Sequence, residues 1–157
     1  MAVPISDQVI VITGASSGIG LATAREAARR GARVVLAARN VPALERIAEE
    51  IREAGGTAIA VGTDVTDYDQ VVALARRAVE EYGRIDTWVN NAAVSLYATF
   101  RDISLEDFRR VLDVNLLSAV RATRAALPSL LERRGSIVNV SSMNSRLPAA
   151  GPVSYSA

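Results

Sequence analysis

Apolar residues fall along this chain in two alternating kinds of run. Short apolar-rich stretches occupy 9–12, 33–39, 57–62, 85–90 and 136–141, the one at 33–39 nearly continuous. Runs of that length without polar alternation mark strands buried on both faces, as in a parallel sheet. Between them the apolar positions recur every three or four residues. The first helix opens near Ile19, carries Ala22, Ala24, Ala27 and Ala28, and ends near Arg29 and Arg30 with Gly31 as its cap. A second starts after Asn40, with Leu44, Ile47, Ala48 and Ile51, and closes near Ala54 before Gly55-Gly56. The third covers about 69–81, with Val71, Val72, Leu74, Ala75, Ala78 and Val79 on its apolar side, and Gly83 ends it. Ser104-Leu105-Glu106-Asp107 resembles a capping box opening a long helix to about Arg133. Its expected stripe is Phe108, Val111, Leu112, Leu116, Ala119, Val120 and Thr123, with a kink or break at Pro128 and a cap at Gly135.

Strand and helix alternate regularly, which predicts an α/β fold with a parallel sheet and right-handed crossovers. The expectation is one Rossmann-type, doubly wound domain over residues 1–157, with five strands in the order 3-2-1-4-5 and flanking helices. Half of the 157 residues are hydrophobic, ample for a core.

Composition narrows the chemistry. The sequence contains no cysteine and no histidine, which removes disulfides, thiol catalysis and histidine acid–base chemistry, and argues against a transition-metal site. A formal charge of +1, with basic residues scattered rather than clustered, gives no electrostatic case for nucleic acid. The first residues lack the charged start and apolar core of a signal peptide, and no apolar run approaches the roughly 18 residues of a membrane span. A soluble, cytoplasmic protein is expected.

The stretch that carries chemistry is Thr13-Gly14-Ala15-Ser16-Ser17-Gly18-Ile19-Gly20, between the first strand and the first helix. Glycines there let backbone N–H groups and a helix N-terminus approach a phosphate. Gly14 to Gly18 also fits the G-x-S-x-G turn of serine hydrolases, but no histidine is available as a base for Ser16. No Lys-Ser or Lys-Thr follows, as a P-loop requires. A tight turn without ligand is the remaining alternative. Asn115 interrupts the apolar stripe of the long helix, whereas Asn90-Asn91 and Ser142 end strands four and five. A structural asparagine held by neighbouring carbonyls is the plain alternative for Asn115. In open α/β sheets, however, ligands bind at that edge, at the switch point between strands one and four. Arg39 ends strand two, where an acid would hold the ribose hydroxyl of NAD and an arginine accommodates the 2′-phosphate of NADP. A solvated charge is its alternative reading.

Taken together these residues resemble the short-chain dehydrogenase/reductase family, in its common form of about 250 residues, over the N-terminal three-fifths. Gly14, Ser16, Ser17, Gly18, Ile19 and Gly20 stand in the family's T-G-x-x-x-G-x-G turn. Asp64 and Val65 match its adenine-contacting pair. Asn90, Asn91 and Ala92 match its N-N-A-G, with Ala93 in place of the glycine. Asn115, Ser142 and Tyr155 match its proton-relay asparagine, catalytic serine and catalytic tyrosine, the last two 13 residues apart. The resemblance implies hydride transfer between nicotinamide and a carbonyl or secondary alcohol, and Arg39 directs the expected cofactor to NADP(H) rather than NAD(H). It assigns Tyr155 acid–base chemistry and a cofactor contact, and implies a homodimer or homotetramer at full length. The lysine that assists the tyrosine would fall at position 159, past Ala157, as would the last strands. The chain by itself is therefore expected to be inactive, or else to be a non-catalytic dinucleotide-binding module or regulatory subunit. Leu96, Tyr97 and Phe100 are candidates for lining the pocket or for ordinary loop packing.

Overall fold

A computed structural model describes residues 3–96, 99 and 101–142. Strands β1 (Val9–Thr13), β2 (Arg33–Ala38), β3 (Thr57–Gly62), β4 (Thr87–Asn90) and β5 (Ser136–Asn139) form a parallel sheet in the order β3-β2-β1-β4-β5. The helices are α1 (Gly18–Arg29), α2 (Val41–Glu53), α3 (Tyr68–Tyr82), α4 (Leu105–Leu112) and α5 (Ser118–Arg133). A 3-10 turn, Ile5–Asp7, precedes β1. The doubly wound order expected from the sequence is the order observed.

Side chains of β1 divide by strand parity. Ile10 and Ile12 join Val34 and Leu36 in a core against α1 and α2, whereas Val9 and Val11 join Val35 and Ala37 in a second core against α3 and α5. The division follows from handedness. The chain winds from β1 to β3 one way and from β4 to β5 the other, so right-handed crossovers put the two helix pairs on opposite faces. The reversal leaves a crevice at the carboxyl ends of β1 and β4.

Four details differ from expectation. Strand β4 begins at Thr87 rather than residue 85, and the side chain of Asp86 just before it has a separate task. It is 4% exposed, its carboxylate accepts the Val9 N–H at 2.8 Å, and it pairs with the Arg84 guanidinium. Asp86→Ala is expected to cost about 2 kcal/mol, below the usual penalty for breaking a buried pair because Arg84 reaches water. A urea titration checks this, and an unchanged midpoint refutes it.

The predicted long helix is two helices joined by a π-helical turn, Asp113–Leu117. Its inward face keeps Val111 from the expected stripe but then departs from it. Val111, Val114, Ser118, Ala122, Ala126 and Leu130 are buried, while Leu116 (56%) and Val120 (59%) are exposed. The extra residue in a π-turn shifts the helical phase, and alanines let α5 lie close over the fully buried Trp88. Leu127 and Leu131 continue the exposed apolar row.

Pro128 does not break α5, which runs on to Arg133. Pro128 and Arg124, whose carbonyl loses its partner, are both on the exposed side, so that carbonyl is open to solvent. The left-handed cap is Arg134 (φ 53°), not Gly135. Gly135 serves instead for close approach: a Cβ there would lie 2.6 Å from the Asp86 carbonyl oxygen and 2.7 Å from Leu130 Cδ2. Among the described residues no helix is long and apolar enough to cross a membrane.

Candidate functional site

The turn between β1 and α1 sits at the crevice. Gly14 (φ 67°) and Gly18 (φ 54°) take left-handed backbone that other residues avoid. At Gly18 an added Cβ would meet nothing within 4 Å. The turn is therefore open to a ligand on that side. Ser17 is the N-cap of α1, yet it makes no side-chain capping bond. The first-turn N–H groups thus lack the side-chain acceptor that helices usually supply, an arrangement suited to an anion. Ser16 is half-buried, Ser17 is exposed, and Ile19 is 65% exposed beside them.

The other two glycines answer to the protein itself. A Cβ on Gly14 would lie 2.9 Å from Asn91 Nδ2 and from Ala92 Cα. On Gly20 it would lie 2.4 Å from the Gly14 carbonyl oxygen and 2.5 Å from Asn91 Nδ2. Asn91 donates from Nδ2 to the carbonyls of Thr13 (3.0 Å) and Gly14 (3.2 Å), so its side chain braces the turn. Thr13 completes the brace. Its hydroxyl donates to the Val89 carbonyl at 3.2 Å and accepts the N–H groups of Asn91 at 3.0 Å and Ala92 at 3.2 Å. Thr13 is a positioning residue, a role beyond its place at the start of the glycine motif. Its signal was a polar residue, 2% exposed here, ending an otherwise apolar strand.

One cleft beside the turn is lined by Arg39, Asp64, Val65, Ala92, Val94 and Arg110. Asp64 Oδ1 accepts from the Thr66 N–H at 2.9 Å and the Thr66 hydroxyl at 2.7 Å. Burial pushes this carboxyl up, but the two Thr66 hydrogen bonds and the charges of Arg110 and Arg39 outweigh it and hold it below the ordinary range. Asp64 is therefore an anion at neutral pH, acceptor-only on its remaining lone pairs. Arg110 was not anticipated, because a charge on the face of a helix looks like simple solvation.

A second cleft lies between the π-turn and the end of β5, lined by Asn90, Ala92, Asn115, Asn139, Ser141 and Ser142 among others. It brings together three positions far apart in sequence: Asn90, Asn115 and Ser142. The Asn90 amide is engaged internally, accepting from Trp88 Nε1 at 3.0 Å and donating to Asn139 Oδ1 at 2.8 Å. Asn115 stands within the π-turn and clasps the backbone of Val94, accepting its N–H and donating to its carbonyl, both at 2.9 Å. Single π-turns inside helices recur at functional sites. Since Val94 lines the first cleft and Asn115 the second, this clasp ties the two together. Arg121 secures the turn from α5, pairing with Asp113 Oδ1 at 2.7 Å. Tyr155, Tyr97 and Phe100 lie outside the described residues, and Leu96 is half-buried.

The site can be set beside known proteins. The family model described as short chain dehydrogenase matches residues 8–157. YxnA, an uncharacterised oxidoreductase of Bacillus subtilis, is 49% identical over 141 residues, covering 88% of this chain and 40% of its own length. An L-rhamnose 1-dehydrogenase (NAD(P)(+)) of Azotobacter vinelandii is 40% identical over 156 residues, covering 95% of this chain and 60% of its own. Among solved structures, an alcohol dehydrogenase from the archaeon Thermococcus sibiricus, complexed with 5-hydroxy-NADP, superposes with a TM-score of 0.91 at 35% identity. That alignment covers 94% of this chain and 63% of the other. The chain thus spans between 40% and 63% of the length of these relatives. With the glycine turn, the parallel sheet and the family match in agreement, this chain belongs to the short-chain dehydrogenase family, whose fold binds a nicotinamide dinucleotide.

Proposed function

We propose that the chain supplies the cofactor-binding part, and part of the catalytic site, of an NADP(H)-dependent oxidoreductase acting on a carbonyl or secondary alcohol. The observation that carries this reading is the open, uncapped start of α1 beside a cleft holding both Asp64 and Arg39. First-turn N–H groups fit a pyrophosphate, the Asp64 carboxylate fits an adenine amino group, and the Arg39 guanidinium fits a 2′-phosphate. Gly14, Ser16, Ser17, Gly18, Ile19 and Gly20 would surround the diphosphate, with Val65 and Ala92 against the nucleoside. The bound dinucleotide would supply or accept the hydride.

The chain's own residues handle the oxygen and its proton. Ser142 donates a hydrogen bond to the substrate oxygen and orients it. Tyr155 gives that oxygen a proton in reduction and removes it in oxidation. Asn115 already uses one N–H and one lone pair on Val94, leaving its second N–H and lone pair for a water leading to solvent. The whole protein is proposed to be a homodimer or homotetramer, a reading supported by the exposed row of Leu116, Val120, Leu127 and Leu131.

Titrating the protein with NADPH and with NADH tests the cofactor assignment. Tighter binding of NADPH, by about tenfold or more for one charge-assisted contact, is the expected result. Equal affinity, or tighter NADH, overturns it.

A further inference from the structure

We propose that Arg110 is a second cation of the dinucleotide cleft and, with Arg39, determines its preference for a phosphorylated ribose. The proposal rests on the dinucleotide reading given above. Arg39 reaches the cleft from the end of β2, whereas Arg110 reaches it from the last turn of α4, and both line it together with Asp64. Counting charge shows why the second arginine matters. Asp64 against Arg39 alone leaves the cleft neutral; with Arg110 it carries a net positive charge, which a phosphate dianion favours.

Among the described residues the acids of this stretch, Glu106, Asp107 and Asp113, make no ion pair with Arg110. Asp113, three residues on, is held by Arg121. Asp107, three residues back, is held by the Ser104 hydroxyl at 2.7 Å. Among the described residues neither Arg39 nor Arg110 makes an ion pair, although both charges reach Asp64. A planar guanidinium from each side can grip different oxygens of one phosphate. The position of α4, fixed by the π-turn and its Arg121 tie, thereby becomes part of cofactor selection.

The test compares dissociation constants of the whole protein and its Arg110→Gln and Arg110→Lys variants for NADPH and NADH. Arg110→Gln is expected to weaken NADPH about fivefold, the upper range for an exposed ionic contact, and to leave NADH unchanged. Arg110→Lys restores part of the loss. If NADPH binding is unaffected by Arg110→Gln, or both dinucleotides weaken equally, the inference fails while a wild-type preference for NADPH keeps the cofactor reading intact. A wild type without that preference overturns both.

Discussion

Gly20→Ala is expected to weaken dinucleotide binding about a hundredfold and to lower the melting temperature by several degrees. A new Cβ would lie 2.4 Å from the Gly14 carbonyl oxygen and 2.5 Å from Asn91 Nδ2. Neither neighbour can yield cheaply. The carbonyl is backbone inside the tight turn, and the Asn91 amide is committed to the carbonyls of Thr13 and Gly14. Alanine favours a helix over glycine by about 1 kcal/mol, but overpacking of this kind costs about 1–3 kcal/mol, so the clash prevails. Relief requires the turn to shift, and a displacement of about 1 Å in a positioning element can cost about a hundredfold. Calorimetric titration with NADPH, alongside a thermal melt, measures both effects. Unaltered affinity would show that the close contact between turn and helix does not set the phosphate site.

The second large effect concerns the proton. Tyr155→Phe in the whole protein is expected to reduce kcat about a thousandfold while leaving the NADPH dissociation constant nearly unchanged, the range for loss of a general acid–base. An ordinary tyrosine titrates near pH ~10, so the proposed role requires nearby positive charge to bring the phenol into the working range. Steady-state rates with a ketone panel, paired with cofactor titration, separate chemistry from binding. A decline of less than about tenfold would remove Tyr155 from the catalytic role.

How far the sequence could be read depended on the range of the interactions involved. Strand runs such as those of β1 and β2 are legible because burial on both faces leaves few polar positions, a local signature. The strand order followed from alternation and handedness together with the glycine turn after β1, which points to the dinucleotide-binding arrangement. The glycine turn was equally plain, yet the reason for its glycines was only half visible. Left-handed backbone accounts for Gly18, where a Cβ would meet open space. Gly14 and Gly20 are instead constrained by Asn91 and Ala92, more than seventy residues away in sequence. Nothing local announces such a contact.

The long helix shows the same boundary. Its existence and its Ser104 cap were readable, and Ser104 does accept the Asp107 N–H at 3.0 Å. Its phase was not, because a π-turn at Asp113–Leu117 displaces the inward face by part of a turn. That turn is stabilised by partners outside its own repeat: Val94 on the segment after β4, and Arg121 on α5. Cap identity at Arg134 was likewise set by what Gly135 must approach, the carbonyl of Asp86.

By itself, then, the sequence determined the fold class, the glycine turn and the family, which are written in short-range pattern, and through them the strand order. Tertiary structure decided that Thr13 and Asn91 brace that turn, and that Asn115 links two clefts through Val94. It also brought Arg110 to the same cleft as Arg39 and Asp64. The physical reason is common to all three: a hydrogen bond or a field between distant residues depends on where the sheet places their backbones, which no local spacing records.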